Sequence, residues 1–203
     1  QATCLRLAER GATVVAVDKT HPNETVERLE KEGYAGIGLT ADVSDPDQTR
    51  AVGDKIRDRY NRCDILVNNA AIYPFVDILD LDYKTWRSVL AVNLDSQFLM
   101  TQAVLPMMRN EGWGRIVNLT SNSIGLAVPG LTHYMASKMG AIGFTRALAN
   151  DVAAYGVTVN AVGPTLSRTP GVLATVPAEL QQEVAKGQAI KKVGEADDVV
   201  GTI

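Results

Sequence analysis

Apolar residues fall into short, nearly continuous runs separated by longer amphipathic stretches, and the two kinds alternate along the chain. Ala2, Leu5, Leu7 and Ala8 recur at helical spacing up to Arg10, with Gly11 placed for a left-handed C-cap. Residues 13–17 form a β-branched run closed by Asp18, residues 26–33 read as a helix, and residues 36–39 predict a short strand leading to Ala41-Asp42-Val43. Residues 46–59 predict a helix with Ser44 as its candidate N-cap, and residues 65–67 a buried strand running into Asn68-Asn69-Ala70-Ala71. Residues 83–108 predict one long helix, disturbed near its end by Pro106. Then come a strand at 115–119, a long helix at 134–155 stopped by Gly156, and a strand at 157–162 followed by Gly163-Pro164.

Strand runs that are apolar throughout belong to parallel sheets covered on both faces, and helices between them imply right-handed crossovers. The pattern therefore predicts an α/β fold, a doubly wound parallel sheet of the Rossmann type, in a single domain over residues 1–203. Such sheets bind ligands beyond the carboxyl ends of their strands. The residues that follow the strands are Asp18, Asp42, Asn68-Asn69-Ala70-Ala71, Thr120-Ser121 and Gly163-Pro164, mostly small and polar, as a cofactor crevice requires.

Composition narrows the partners. The net charge is −3 and no basic cluster is longer than Lys191-Lys192, which argues against nucleic acid. Two cysteines, Cys4 and Cys63, are too few for a disulfide scaffold and read as free thiols in a reducing, cytoplasmic compartment. The two histidines, His21 and His133, make no metal-ligand cluster, so no metal is expected. No apolar run approaches the roughly 18 residues of a membrane span.

Three positions carry candidate chemistry. A carboxylate at the end of the second strand of a dinucleotide fold, here Asp18, accepts hydrogen bonds from ribose hydroxyls and repels a 2′-phosphate, which favours NAD over NADP. Lys19 beside it blurs that preference. Tyr134 and Lys138 are four apart on a helix and share a face, and an ammonium near a phenol draws its pKa down from about 10 towards working pH. That makes Tyr134 a usable general acid or base. A hydroxyl after the strand at 115–119 can hold a substrate oxygen; Ser121 and Ser123 both qualify.

Asp64-Ile-Leu-Val-Asn-Asn-Ala70, Arg115-Ile-Val-Asn-Leu-Thr-Ser121 and Tyr134-Met-Ala-Ser-Lys138 together resemble the short-chain dehydrogenase/reductase family, in its order and at its spacings over nearly the whole chain. The resemblance implies a catalytic serine thirteen residues before the tyrosine, which selects Ser121 over Ser123. It implies a fourth member, Asn93, holding a water that relays protons from Lys138. It places Asp42-Val43 against the adenine, Asn69-Ala70-Ala71 past the adenosine ribose, and Pro164, Thr165 and Thr169 beside the nicotinamide. Lys138 and Tyr134 would touch the nicotinamide ribose as well.

Three departures accompany it. Ala71 stands where the family has glycine, which is tolerated unless the backbone needs positive φ or very close cofactor approach. Thr165 replaces the glycine after Pro164 and reshapes the pocket beside the nicotinamide. The family's glycine-rich phosphate loop is not in the chain, which opens in a helix-like pattern without an initiator Met; residues 190–200 resemble the approach to a last helix without the final strand. The expectation is a chain truncated at both ends, its first and last strands missing and neighbouring strand edges unpaired.

Residues 62–74, 112–121 and 132–134 are similar to bacterial secondary-alcohol dehydrogenases acting on aryl-alkyl carbinols of the 1-phenylethanol type, and the apolar stretch from Ile124 to Leu131 suits a hydrophobic ketone. The implied activity is NAD-dependent interconversion of a secondary alcohol and a ketone. The alternatives are a 3-ketoacyl-thioester reductase, normally an NADPH enzyme and disfavoured by Asp18, and a non-catalytic dinucleotide-binding protein. Family likeness also implies a homotetramer or dimer through the two long helices, with the charge-poor stretch 141–145 on an outer face.

Overall fold

The structure, a computed structural model, describes residues 1–126 and 128–203. After α1 (Ala2–Glu9), strand β1 (Val14–Asp18) pairs in parallel with β2 (Gly36–Thr40) across α2 (Asn23–Lys31). Helix α3 (Pro46–Tyr60) leads to β3 (Ile65–Asn68), which begins a second parallel ladder, β3-β4-β5, with β4 at Gly114–Leu119 and β5 at Val157–Val162. Helices α4 (Tyr83–Leu90), α5 (Ser96–Glu111) and α6 (Thr132–Val152) make the crossovers. Among the described residues no ladder joins β1 to β3; the larger core cluster touches both ladders, and a smaller one of Ala8, Val14 and Leu29 packs α1, β1 and α2 together. In the larger cluster Leu66, Ile116 and Val159 pack with Met100, Val104 and Met108 of α5 and Val52 and Ile56 of α3, and Val15, Val17 and Leu39 lie against them. Ile116, Val117 and Leu119 are all buried, which is why β4 reads as apolar without alternation.

Several expected boundaries move for local reasons. The N-cap of α3 is Asp45, whose carboxylate accepts from the Asp47 and Gln48 N–H groups at 2.9 and 3.0 Å, with Pro46 in the first turn. Ser44 instead donates its hydroxyl to Asp42. The long helix expected over 83–108 is two helices joined by a π turn at Ala91–Asp95. Helix α5 runs past Pro106 to Glu111, because that proline sits on the exposed side, where water can satisfy the carbonyl its ring leaves unbonded. Helix α6 starts at Thr132 and passes through a 3₁₀ turn, Ala153–Tyr155, to Gly156 at φ +70°. A Cβ there would lie 2.1 Å from the Gly112 carbonyl oxygen, so glycine is required twice over. The stretch 141–145 is not wholly an outer face, since Ala141 and Thr145 are buried.

Beyond β5, the short pair β6 (Ser167–Arg168) and β7 (Gly194–Glu195) frames α7 (Pro170–Thr175) and α8 (Ala178–Gly187), followed by α9 (Asp197–Val200). The first turn of α7 reaches the β3–α4 loop, where the Tyr73 hydroxyl lies beside Gly171.

Candidate active site

Two elements deliver the central group. Strand β4 ends at Leu119, and Ser121 leaves it in extended geometry to cap a 3₁₀ turn, Asn122–Gly125. The first turns of α6 carry His133, Tyr134, Ser137 and Lys138. The Ser121 Oγ accepts from the Ser123 N–H at 3.2 Å and shares a hydrogen bond with the Ser123 Oγ at 2.8 Å. The Ser121 hydroxyl also faces the Tyr134 phenol. The two serines the sequence offered are thus bonded to one another.

Lys138 is 2% exposed, and its Nζ donates to the Leu119 carbonyl oxygen at 2.7 Å while lying 5.7 Å from the centre of the Tyr134 ring. Burial pulls its amine down to about 8. The phenol of Tyr134 moves the other way. Burial pushes it up, the Ser121 hydroxyl opposes this, and the neighbouring Tyr73 adds to the rise. The net direction is upward rather than the lowering expected from Lys138, because burial is the largest influence on the phenol.

Asn93 sits fully buried within the π turn. Its Oδ1 accepts from the Ile72 N–H at 2.8 Å, and its Nδ2 donates to the Ile72 carbonyl at 2.9 Å and the Ser137 Oγ at 3.1 Å. Ser137 in turn donates to the Tyr134 carbonyl at 2.7 Å. Both Nδ2 hydrogens are thereby used, and of the side chain only one Oδ1 lone pair remains for a relay water.

His133 has no exposed surface, and its two ring nitrogens lack a hydrogen-bond partner of good geometry. Burial lowers its pKa, opposed by the Pro74 main chain. A histidine whose folded pKa lies below its unfolded value, about 6.5, contributes fully above that pH and loses stability as pH falls through the window beneath it. Thermal melts should therefore drop for the wild type as pH falls just below about 6.5, and drop less for His133→Leu. Equal slopes in the two proteins would show that this ring is not what titrates.

The remaining predicted residues line the carboxyl edge. Asp18 is exposed at the end of β1, its Oδ1 accepting from the Thr20 N–H at 3.1 Å. Lys19 turns to Asp42, Nζ to Oδ2 at 3.0 Å. The Asp42 carboxyl, bonded first by Ser44 and then by Lys19, is drawn down to about 2. Val43 packs against the core. Asn69 and Ala70 are exposed and Ala71 is half-buried, and Ala71 has no positive φ, so its methyl meets no backbone objection. The Pro164 carbonyl accepts from the Asn122 N–H at 3.0 Å, tying the end of β5 to the Ser121 turn. Thr169 caps α7 by accepting from the Val172 N–H at 3.3 Å. The Thr165 Oγ1 is buried without a partner. An open carboxylate at one end, small residues between, and an orphaned hydroxyl at the other fit a dinucleotide lying along this edge.

Several further residues support the site. A buried relay, from Asn68 Nδ2 to Asn118 Oδ1 at 2.8 Å and from Asn118 Nδ2 to Thr145 Oγ1 at 2.9 Å, pins β3, β4 and α6 together behind the site. Asparagines inside apolar strands were the available signal, since a buried amide must be bonded. Ser137 and Tyr73 carry no such signal; only the fold brings them to Asn93 and Tyr134.

A family model described as short chain dehydrogenase matches residues 1–179. The (2S)-[(R)-hydroxy(phenyl)methyl]succinyl-CoA dehydrogenase subunit BbsD of Thauera aromatica is 36% identical over 99% of this chain and 81% of its own length. A 3-oxoacyl-[acyl-carrier-protein] reductase of Synechocystis is 35% identical, over 100% of this chain and 82% of that protein. Among solved structures, a gluconate 5-dehydrogenase from Burkholderia cenocepacia in complex with NADP and tartrate superposes with a TM-score of 0.91 at 30% identity, over 98% of this chain and 80% of that one.

Proposed function

The chain belongs to the short-chain dehydrogenase/reductase family, NAD(P)-dependent oxidoreductases acting on CH–OH groups, and from that membership we propose that it interconverts a secondary alcohol and a ketone bearing an apolar, aryl-alkyl substituent, with NAD(H) as cofactor. The observation that carries the reading is the convergence of Ser121, Tyr134 and Lys138 at the carboxyl end of β4. When bound, the nicotinamide supplies the hydride acceptor or donor. In reduction the Tyr134 hydroxyl gives its proton to the carbonyl oxygen, and in oxidation the Tyr134 oxygen takes the hydroxyl proton of the alcohol after first releasing its own to solvent. The Ser121 Oγ hydrogen-bonds that same oxygen, held in aim by Ser123, where negative charge develops. Lys138 supplies fixed positive charge to the phenol and the ribose. Asn93 and Ser137 hold α6 against the π turn and so fix where Tyr134 stands.

Asp18 supports NAD, with the Asp42-Val43 pair against the adenine and the Asp42 carboxylate drawing Lys19 away from a 2′-phosphate. Asn69, Ala70, Ala71, Pro164, Thr165 and Thr169 complete the cofactor edge. The Thauera relative's name contains a phenyl carbinol, which supports an aryl substituent, but on a CoA thioester, so together with the Synechocystis reductase it also supports the second reading, a 3-ketoacyl thioester. Among the described residues no helix is long and apolar enough to cross a membrane. We place the protein in the cytoplasm as a homo-oligomer, its contact made by the exposed Phe98 of α5 and Met139 of α6.

Oxidation of NADH and NADPH should be followed with acetophenone, an aliphatic ketone and an acetoacetyl thioester. NADH turnover fastest with acetophenone is expected; preference for the thioester with NADPH would replace the first reading by the second. Asp18→Ser should raise the NADPH-to-NADH ratio of kcat/KM by on the order of ten- to a hundredfold, the effect of removing a like charge beside the 2′-phosphate. An unchanged ratio would remove Asp18 from cofactor selection.

A further inference from the structure

The loop between β3 and α4 is fastened to the catalytic elements at successive residues. Asn93 holds both main-chain groups of Ile72, and the Val76 N–H donates to the Gly130 carbonyl at 3.0 Å, just before α6. Tyr73 lies between these anchors, so its backbone has little freedom. Its ring meets that of Tyr134 edge-on, with centroids 6.1 Å apart and planes at 72°. Its hydroxyl reaches α7, where a Cβ on Gly171 would stand 3.0 Å from it. Tyr73 therefore spans the interval from the catalytic phenol to the helix that follows the nicotinamide segment. Ile72 and Phe75 of the same loop and Leu173 of α7 expose apolar surface.

Resting on the oxidoreductase reading above, we propose that Tyr73 positions Tyr134 and forms the wall that selects a carbonyl compound with a flat aromatic substituent, while Gly171 is kept small to leave room for the Tyr73 hydroxyl. The edge-on contact limits tilting of the Tyr134 ring, which is otherwise steadied by the Lys138 ammonium over it and by Ser121 at its oxygen. Those three groups, from the β3–α4 loop, α6 and the turn after β4, are the titratable or hydroxyl neighbours facing the phenol. An aryl group entering between the loop and α7 meets a second aromatic ring as well as aliphatic surface, a contact that a chain of methylenes reproduces poorly.

Three variants test this. Tyr73→Ala should lower kcat/KM for acetophenone by about tenfold more than for an aliphatic methyl ketone, the size of a lost aromatic contact. Gly171→Ala should raise KM for acetophenone in the wild-type background and have little effect in Tyr73→Phe, where the crowded hydroxyl is gone. The third readout needs no turnover. The tyrosinate absorbance step that disappears in Tyr134→Phe should fall to lower pH in Tyr73→Phe, because Tyr73 raises the Tyr134 pKa. A parallel loss for both ketones, additive Gly171 and Tyr73 effects and an unmoved tyrosinate step would overturn the proposal. If the wild type reduces no carbonyl compound, the oxidoreductase reading fails instead, and the tyrosinate step still decides whether Tyr73 positions Tyr134.

Discussion

Tyr134→Phe should leave a folded protein that binds NADH and turns over its ketone some 10²- to 10⁴-fold more slowly, the range expected when a positioned proton donor is removed. The substitution deletes one oxygen and keeps the ring. The edge contact with Tyr73 and the position beneath the Lys138 ammonium both involve the ring rather than the hydroxyl, so packing is preserved. A large fall in kcat with little change in KM would mark an interaction made mainly in the transition state. The pH profile adds a second check. In the free protein burial raises the Tyr134 pKa above its usual value, so the phenol is protonated across the neutral range and ready to donate in the reduction direction. Reduction should therefore show no loss near neutrality that can be traced to Tyr134 ionisation. A Phe variant retaining more than about a tenth of wild-type turnover would assign the proton transfer to another group.

The sequence carried the outline of this site because its logic is local. The apolar runs placed β1 to β5, the strand ends named the carboxyl-edge residues, and the four-residue interval put Tyr134 and Lys138 on one face of α6. What escaped it depends on contacts between distant segments. The break of the long helix into α4 and α5 at the π turn has no proline or glycine to announce it. It is stabilised by Asn93 reaching across to Ile72 and Ser137. Ser44 and Asp45 are both good caps by residue type, and only the competing bond from Ser44 to Asp42 settles which one serves α3. The direction of the Tyr134 pKa is set mainly by burial. Helical spacing gives the shared face but reveals neither that burial nor the Leu119 carbonyl as partner of the Lys138 ammonium. Similarly, the apolar character of 141–145 does not say which side chains turn inward; Thr145 does so because the Asn118 amide needs an acceptor.

Lys138→Met should produce a protein that is more stable and nearly inactive. The wild-type ammonium is almost fully enclosed and, among the described residues, has one hydrogen bond, to the Leu119 carbonyl. Its amine falls from 10.5 to about 8, and burial is the cause. At roughly 1.4 kcal/mol per unit, keeping this group charged in the fold costs about 3 kcal/mol at neutral pH. Methionine matches much of the volume without the charge, although it leaves the Leu119 carbonyl unbonded at a cost of about 1–3 kcal/mol. The balance favours the variant by about 1 kcal/mol, or a Tm higher by about 2–4 °C for a chain of this size. The sign with pH follows from the depressed folded pKa. The cost is fully present below about 8, where folded and unfolded chains both carry the proton, and it shrinks as pH rises from there towards 10.5 because the folded chain releases its proton first. The advantage of Lys138→Met should therefore fade in alkaline melts. A variant less stable than wild type at neutral pH would mean that the ammonium contributes to the fold. A more stable variant with turnover reduced a hundredfold or more would mean that this lysine weakens the fold in order to hold a positive charge beside the Tyr134 ring.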